Sequence, residues 1–189
     1  MFDARTRFAP AAIVIFMLAP FGAALAQVSP YAGQQTREIK ALSAQEIDDL
    51  LNARGMALAK AAELNGYPGP LHSLELADKL GLSPEQLRAI KDIKAREEAA
   101  ARPLGAEIVA VERELDQDFA KHMIDPVKLK RLTDRLGELQ GRLRAVHLGA
   151  HLETVSVFSA QQVARYNELR GYDGSATAPV HNPTSSHTR

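Results

Sequence analysis

Apolar residues recur at helical spacing along most of this chain, and the clearest run is Leu129, Leu132, Leu136, Leu139, Leu143, Val146 and Ala150, spaced 3-4-3-4-3-4. That repeat draws one apolar stripe down a helix, the seam of a coiled-coil-like hairpin. In the segment before it, Leu104, Ile108, Val111, Leu115 and Phe119 fall on one face. Between the two runs, Met123-Ile124-Asp125-Pro126 predicts a tight turn with Asp125 as N-cap and Pro126 at the first helical position. A connection this short predicts that the two helices lie antiparallel.

The polar punctuation divides the rest of the chain. A helical pattern runs from Ser43 to about Leu64, weakened by Gly55 and stopped by Asn65-Gly66-Tyr67-Pro68-Gly69-Pro70. A short helix is expected over about Leu71–Leu80, ended by Gly81 at a C′ position. The next begins at Ser83, with Pro84 at N1, and should reach about His122 with a kink at Pro103. A final short helix is expected from Ser159 to about Leu169. Leu82-Ser83-Pro84-Glu85-Gln86 and Phe158-Ser159-Ala160-Gln161-Gln162 share the pattern apolar-Ser-x-x-Gln, and Leu42-Ser43-Ala44-Gln45-Glu46 is a looser third copy. Each reads as a capping box: the Ser side chain accepts from the N–H three residues on, and the Gln or Glu there reaches back to the N–H of Ser. The fold class expected is therefore all-α, a long antiparallel helical hairpin with short flanking helices. Such a hairpin exposes much surface relative to its core and would gain by pairing with a second copy, so a homodimer is expected.

Composition narrows the setting. Arg5 and Arg7 precede an almost wholly apolar stretch, Ala11 to Ala23, and Ala24-Leu25-Ala26 is a small-x-small cleavage site. Residues 1–26 thus read as a secretory signal peptide, a retained membrane anchor being the alternative. Residues 27–42 read as an exposed leader, 43–170 as the helical domain and 171–189 as a disordered polar tail. Basic and acidic residues number 23 each and Trp is absent, which argues against a nucleic-acid partner. The chain has no cysteine, so neither a disulfide staple nor thiolate chemistry is available and a transition-metal site would use His, Met, Asp or Glu.

His147 and His151 are four residues apart on the most periodic helix, about 40° round from Leu143. Two imidazoles at i, i+4 can share one metal ion, or can simply be solvated or packed against a partner. Leu148 stands where a zinc protease needs its Glu. His72, with Glu75 three residues on, is the candidate third ligand. His122 lies at the hairpin turn, roughly 37 Å along the helix from His147 and out of reach within one subunit. The helix over 126–157 is rich in Lys and Arg while 84–122 holds more acid than base, which predicts either pairing within the hairpin or a basic concave surface for unfolded or acidic clients. No nucleophile-base pair and no Gly-rich phosphate loop occurs, so an enzyme is not expected.

The two Ser-x-x-Gln boxes around a Cys-free helical hairpin resemble the Leu-Thr-x-x-Gln boxes of the Spy/CpxP family of periplasmic proteins, with Ser for Thr and Phe158 for the second Leu. The resemblance covers roughly residues 70–172. Asn65-Gly66-Tyr67-Pro68-Gly69-Pro70-Leu71-His72 and Arg144-Ala145-Val146-His147-Leu148-Gly149-Ala150-His151 look like the periplasmic heavy-metal sensor branch, which includes CnrX and the zinc-resistance-associated proteins. It implies an intertwined, hooked-hairpin dimer in the periplasm. In CnrX-like sensors a His-x-x-x-Met pair precedes the second box; here His147 matches the His and His151 replaces the Met, while His72 falls near the first-helix ligands and the family's Glu position falls at about Lys94. The expected function is a periplasmic sensor or resistance protein that binds a divalent transition metal (zinc, nickel, cobalt or copper) through His72, His147 and His151. It would signal to an envelope partner, a membrane-bound anti-sigma factor or a sensor kinase. The alternative is an ATP-independent chaperone or envelope-stress protein that holds unfolded clients.

Overall fold

A computed structural model describes residues 28–173. The expected signal peptide (1–26) and all but the first three residues of the expected tail lie outside them. Residues 28–33 form a turn in which the Tyr31 N–H reaches the Ser29 hydroxyl at 3.2 Å. The helices belong to a separate unit that begins at Gln34. After a 3₁₀ turn at Gln34–Thr36, it contains α1 (Ala44–Leu51), α2 (Lys60–Glu63), α3 (Pro70–Glu75), α4 (Ala77–Leu80), α5 (Pro84–Ala120), α6 (Pro126–Val157) and α7 (Ala160–Arg170). No strand occurs among the described residues, only an isolated bridge between Ile39 and Leu42. The all-α class is as expected. No described helix is long and apolar enough to cross a membrane.

The two long helices, α5 and α6, pack against each other over the predicted stripes. Leu132, Leu136, Leu139, Leu143 and Ala150 of α6 are buried, as are Leu104 and Ile108 of α5. Towards the turn between them the stripe runs out into solvent, with Phe119 and Leu129 exposed. Ion pairs flank the seam: Arg96–Glu153 at 2.5 Å, Arg135–Glu107, Arg131–Glu114 at 2.7 Å and Lys128–Asp118 at 3.2 Å. The α6 residue numbers fall as the α5 numbers rise, so the helices run in opposite directions. Lys128, Arg131 and Arg135 of α6 thus pair across the hairpin, while Lys130 and Arg142 pair within α6 with Asp134 and Glu138. The Arg96, Arg135 and Arg131 pairs are exposed and contribute about 0–1 kcal/mol each, whereas Asp118, the partner of Lys128, is buried. α5 continues through Pro103 without interruption.

All three capping boxes form, at Ser43, Ser83 and Ser159. The two Gln boxes are also bonded to each other. Gln86 Nε2 donates to Gln162 Oε1 at 2.8 Å and to the Val157 carbonyl at 2.8 Å. Gln162 Nε2 donates to Gln86 Oε1 at 3.1 Å and to the Gly81 carbonyl at 3.4 Å. The repeated motif therefore joins the start of α5 to the start of α7.

Three expectations are corrected. The helix expected over 43–64 is broken after Leu51, where Ala53, Met56 and Ala57 take positive φ, and only α2 resumes it. The break follows from packing: a Cβ on Gly105 of α5 would lie 2.0 Å from the Leu50 carbonyl oxygen, so the end of α1 seats on the α5 backbone and the chain must turn away. The helix expected over 71–80 is two pieces that meet at Leu76, with Gly81 in the left-handed conformation after them. The leader over 27–42 is not exposed throughout. Ile39 is fully buried in the core with Leu50, Leu104 and Ile108, and the Lys40 N–H donates to Asp116 of α5 at 3.1 Å.

Candidate functional site

His147 and His151 leave the α6 seam as polar residues, and both are buried. Opposite His147, α5 presents Glu97, whose side chain is only 8 % exposed. Its neighbours along α5 on the buried face are Ile90, Ile93, Ala101 and Leu104, so a carboxylate stands in an otherwise apolar row. A lone buried carboxylate would be costly; here it faces a His and a Lys. His147 Nδ1 lies 2.7 Å from Glu97 Oε1, and Lys94 Nζ lies 3.4 Å from Glu97 Oε2 and 2.9 Å from Glu98 Oε1. The Lys94 ammonium holds the Glu98 carboxyl below the usual carboxylate range, against the opposing effect of burial.

His151 is fixed by the Pro/Gly turn between α2 and α3. Its Nδ1 lies 2.7 Å from the Tyr67 carbonyl oxygen. A carbonyl can only accept, so this nitrogen carries the hydrogen. Gly69 makes room for the ring: a Cβ there would meet His151 Cε1 at 2.7 Å and Nε2 at 2.8 Å. His72, at the start of α3, is half-buried and has its Nδ1 2.8 Å from Glu75 Oε2.

All three histidines thus commit Nδ1 to an oxygen acceptor, which leaves Nε2 as the nitrogen for another partner. That tautomer and orientation are what a carboxylate or carbonyl behind a metal-binding imidazole imposes. His147 Nε2 is buried with no hydrogen-bond partner, and an unsatisfied buried polar atom is uncommon. The three histidines line one cleft of about 700 Å³, together with Glu63, Lys94, Glu97, Glu98, Arg170 and Tyr172. In their present rotamers, no three His, Asp or Glu side chains among the described residues stand close enough to enclose an ion. The donor set and the orphaned nitrogen fit a borderline transition-metal ion, and enclosing one requires the side chains to move.

Sequence reading did not find Glu97, Glu63 or the Tyr67 carbonyl. Glu97 was within reach, as an acid at a seam position of α5 facing a His at a seam position of α6. It also lies one turn after Lys94, where the family resemblance puts a Glu. Glu63 and Tyr67 were not, because the turn that brings them to α6 is a tertiary arrangement. His122 sits at the far end of the hairpin with φ 56° and takes no part in the cleft. Comparison with protein-family models, with curated proteins and with solved structures finds no match to this chain.

Proposed function

We propose that this chain is a metal-responsive protein of Spy/CpxP-like architecture, exported to the periplasm, which binds a divalent transition metal at the cleft between α3, α5 and α6. His147 and His151 would ligate through Nε2, with His72 as third ligand and a carboxylate completing the set. The observation that carries this reading is the shared commitment of all three Nδ1 atoms to oxygen acceptors, with His147 Nε2 buried and unpaired beside them. What the ion would supply is a cross-link. His72 must turn from Glu75 towards α6, so binding couples α3 to the hairpin and offers two arrangements of one surface to a partner. The hooked-hairpin dimer and an anti-sigma factor or sensor kinase as partner belong to the same proposal.

Calorimetric titration of the protein with zinc, nickel and copper(II), beside His72→Ala and His147→Ala/His151→Ala, tests it. Tight stoichiometric binding, weakened in the first variant and lost in the second, is expected. Weak binding that survives both would point to the tail residues His181 and His187 and end the metal reading. One observation favours a chaperone as the second reading. Phe119, Met123 and Val127 are exposed at the end of the hairpin, and Phe119 lines a groove with Leu115 and Ala120 that Lys40, Glu112 and Asp116 border. Full protection of an aggregating client in the presence of chelator would put that reading first.

A further inference from the structure

Glu63 stands between the cleft and the last helix, and its two carboxylate oxygens face different neighbours. Oε1 accepts from the Tyr166 hydroxyl at 2.7 Å, from the Tyr172 hydroxyl at 3.1 Å and from Arg170 Nε at 3.2 Å. Three donors on one oxygen, one of them a guanidinium, saturate it. Oε2 lies 3.7 Å from His151 Nδ1, too long for a hydrogen bond to a nitrogen whose hydrogen already points at Tyr67. The same oxygen is 3.5 Å from where a Gly69 Cβ would stand, the spot also closest to the His151 ring. Glu63 is therefore a largely buried carboxylate with one oxygen engaged by α7 and the segment after it, and the other beside the His151 ring at its Nδ1 edge, so that a shared ion on Nε2 requires Oε2 to move round that edge.

The α7 side of this contact is durable. Tyr166 is fully buried. Its hydroxyl donates to Glu63 Oε1 at 2.7 Å from a position closed to solvent, where water does not compete for the bond. The same hydroxyl is 3.4 Å from the Gly69 N–H, which donates to it. One tyrosine thus holds α7, Glu63 and the turn under His151 together.

Granted the metal reading above, the geometry points to Glu63 as a further ligand whose second oxygen couples the site to the end of the described chain. Oε2 joins His151 on the divalent cation while Oε1 keeps Tyr166, Arg170 and Tyr172. A ligating carboxylate whose other oxygen is held by hydrogen bonds is the usual way a protein orients such a ligand. An opening of α7 must release Glu63, so pinning Glu63 to an ion makes that opening rarer. By linkage, loosening α7 must weaken the ion in the same proportion. The cleft then reports its occupancy through the order of residues 160–172.

Hydrogen exchange of the full chain, followed by mass spectrometry on the 160–172 segment with and without zinc sulfate, reads the coupling directly. Zinc should slow exchange there by about fivefold or more, a typical coupling between sites. Glu63→Gln keeps the shape and an acceptor oxygen for the tyrosines but not the ligand charge; it should lose roughly 10–100-fold in zinc affinity and all of the slowing. Arg170→Ala/Tyr172→Phe leaves every ligand and the buried Tyr166 in place. It should still bind zinc, more weakly by about the factor zinc confers on exchange, and show little further slowing. Wild-type zinc affinity in Glu63→Gln, or zinc saturation with unchanged exchange at 160–172, overturns this inference and leaves the histidine site standing. No zinc binding by the unaltered protein overturns the metal reading itself, and this inference with it.

Discussion

At the scale of single residues, the most deeply placed carboxylates of the cleft each face a partner. Glu97 meets His147 and Lys94, and Glu63 meets Arg170 and two tyrosines. Glu112 of α5 differs: it is half-buried and burial alone pushes its carboxyl above the ordinary range. An acid whose folded pKa is raised binds more protons folded than unfolded, so stability falls as pH rises from the ordinary carboxylate range through the raised value. Glu112→Gln should therefore melt at a higher temperature than the unaltered protein at pH 7. The gain should vanish below about pH 4, where the carboxyl is protonated in both states. Thermal melts of the two proteins across that range check the sign; a gain that grows on acidification would refute it.

At the scale of elements, helix starts do more than cap. The boxes at Ser83 and Ser159 satisfy the first N–H groups of α5 and α7, as any capping box does. Their glutamine amides then bond one to the other, with the Val157 and Gly81 carbonyls as further acceptors. Gln86→Ala and Gln162→Ala should each cost more than the loss of a cap. Each removes the cross-bond and leaves the other half-buried amide short of one partner, a further cost of about 1 kcal/mol. The double variant should cost less than the sum of the singles, with a coupling of about 1 kcal/mol in a denaturant-unfolding cycle. Additive effects would mean that the boxes act as independent caps.

At the scale of the molecule, the hairpin is a frame that holds the cleft open on one side. α5 and α6 carry Glu97, His147 and His151 at fixed heights, whereas His72 rides on a six-residue helix tied to the frame by the Pro/Gly turn. A cation enclosed by these parts would bind the folded protein and not the unfolded chain. Zinc at about 100 times its dissociation constant should then stabilise the protein by about 2.7 kcal/mol. For a chain of this size that raises the melting temperature by roughly 5–10 °C. Chelator should reverse the shift, and His147→Ala/His151→Ala should abolish it. An unchanged melting curve at saturating zinc would contradict the site.

The sequence by itself determined the helices whose causes are local: the 3-4 stripe of α6, the Asp125-Pro126 start, and three capping boxes written in four residues each. It also marked His147 and His151 as residues to watch, since i, i+4 spacing is a property of one helix, and His72 with Glu75 as a candidate third ligand on another. Only the tertiary structure decided where helices stop for lack of room, as at Leu51 against Gly105, and which part of the expected leader is core, as at Ile39. It alone put Glu63 and the Tyr67 carbonyl beside His151, because those contacts span 84 residues or more. Helix periodicity and capping act over about a turn, within reach of reading along the chain. The partners of a buried imidazole are set by which surfaces pack, and that is settled by the whole chain at once.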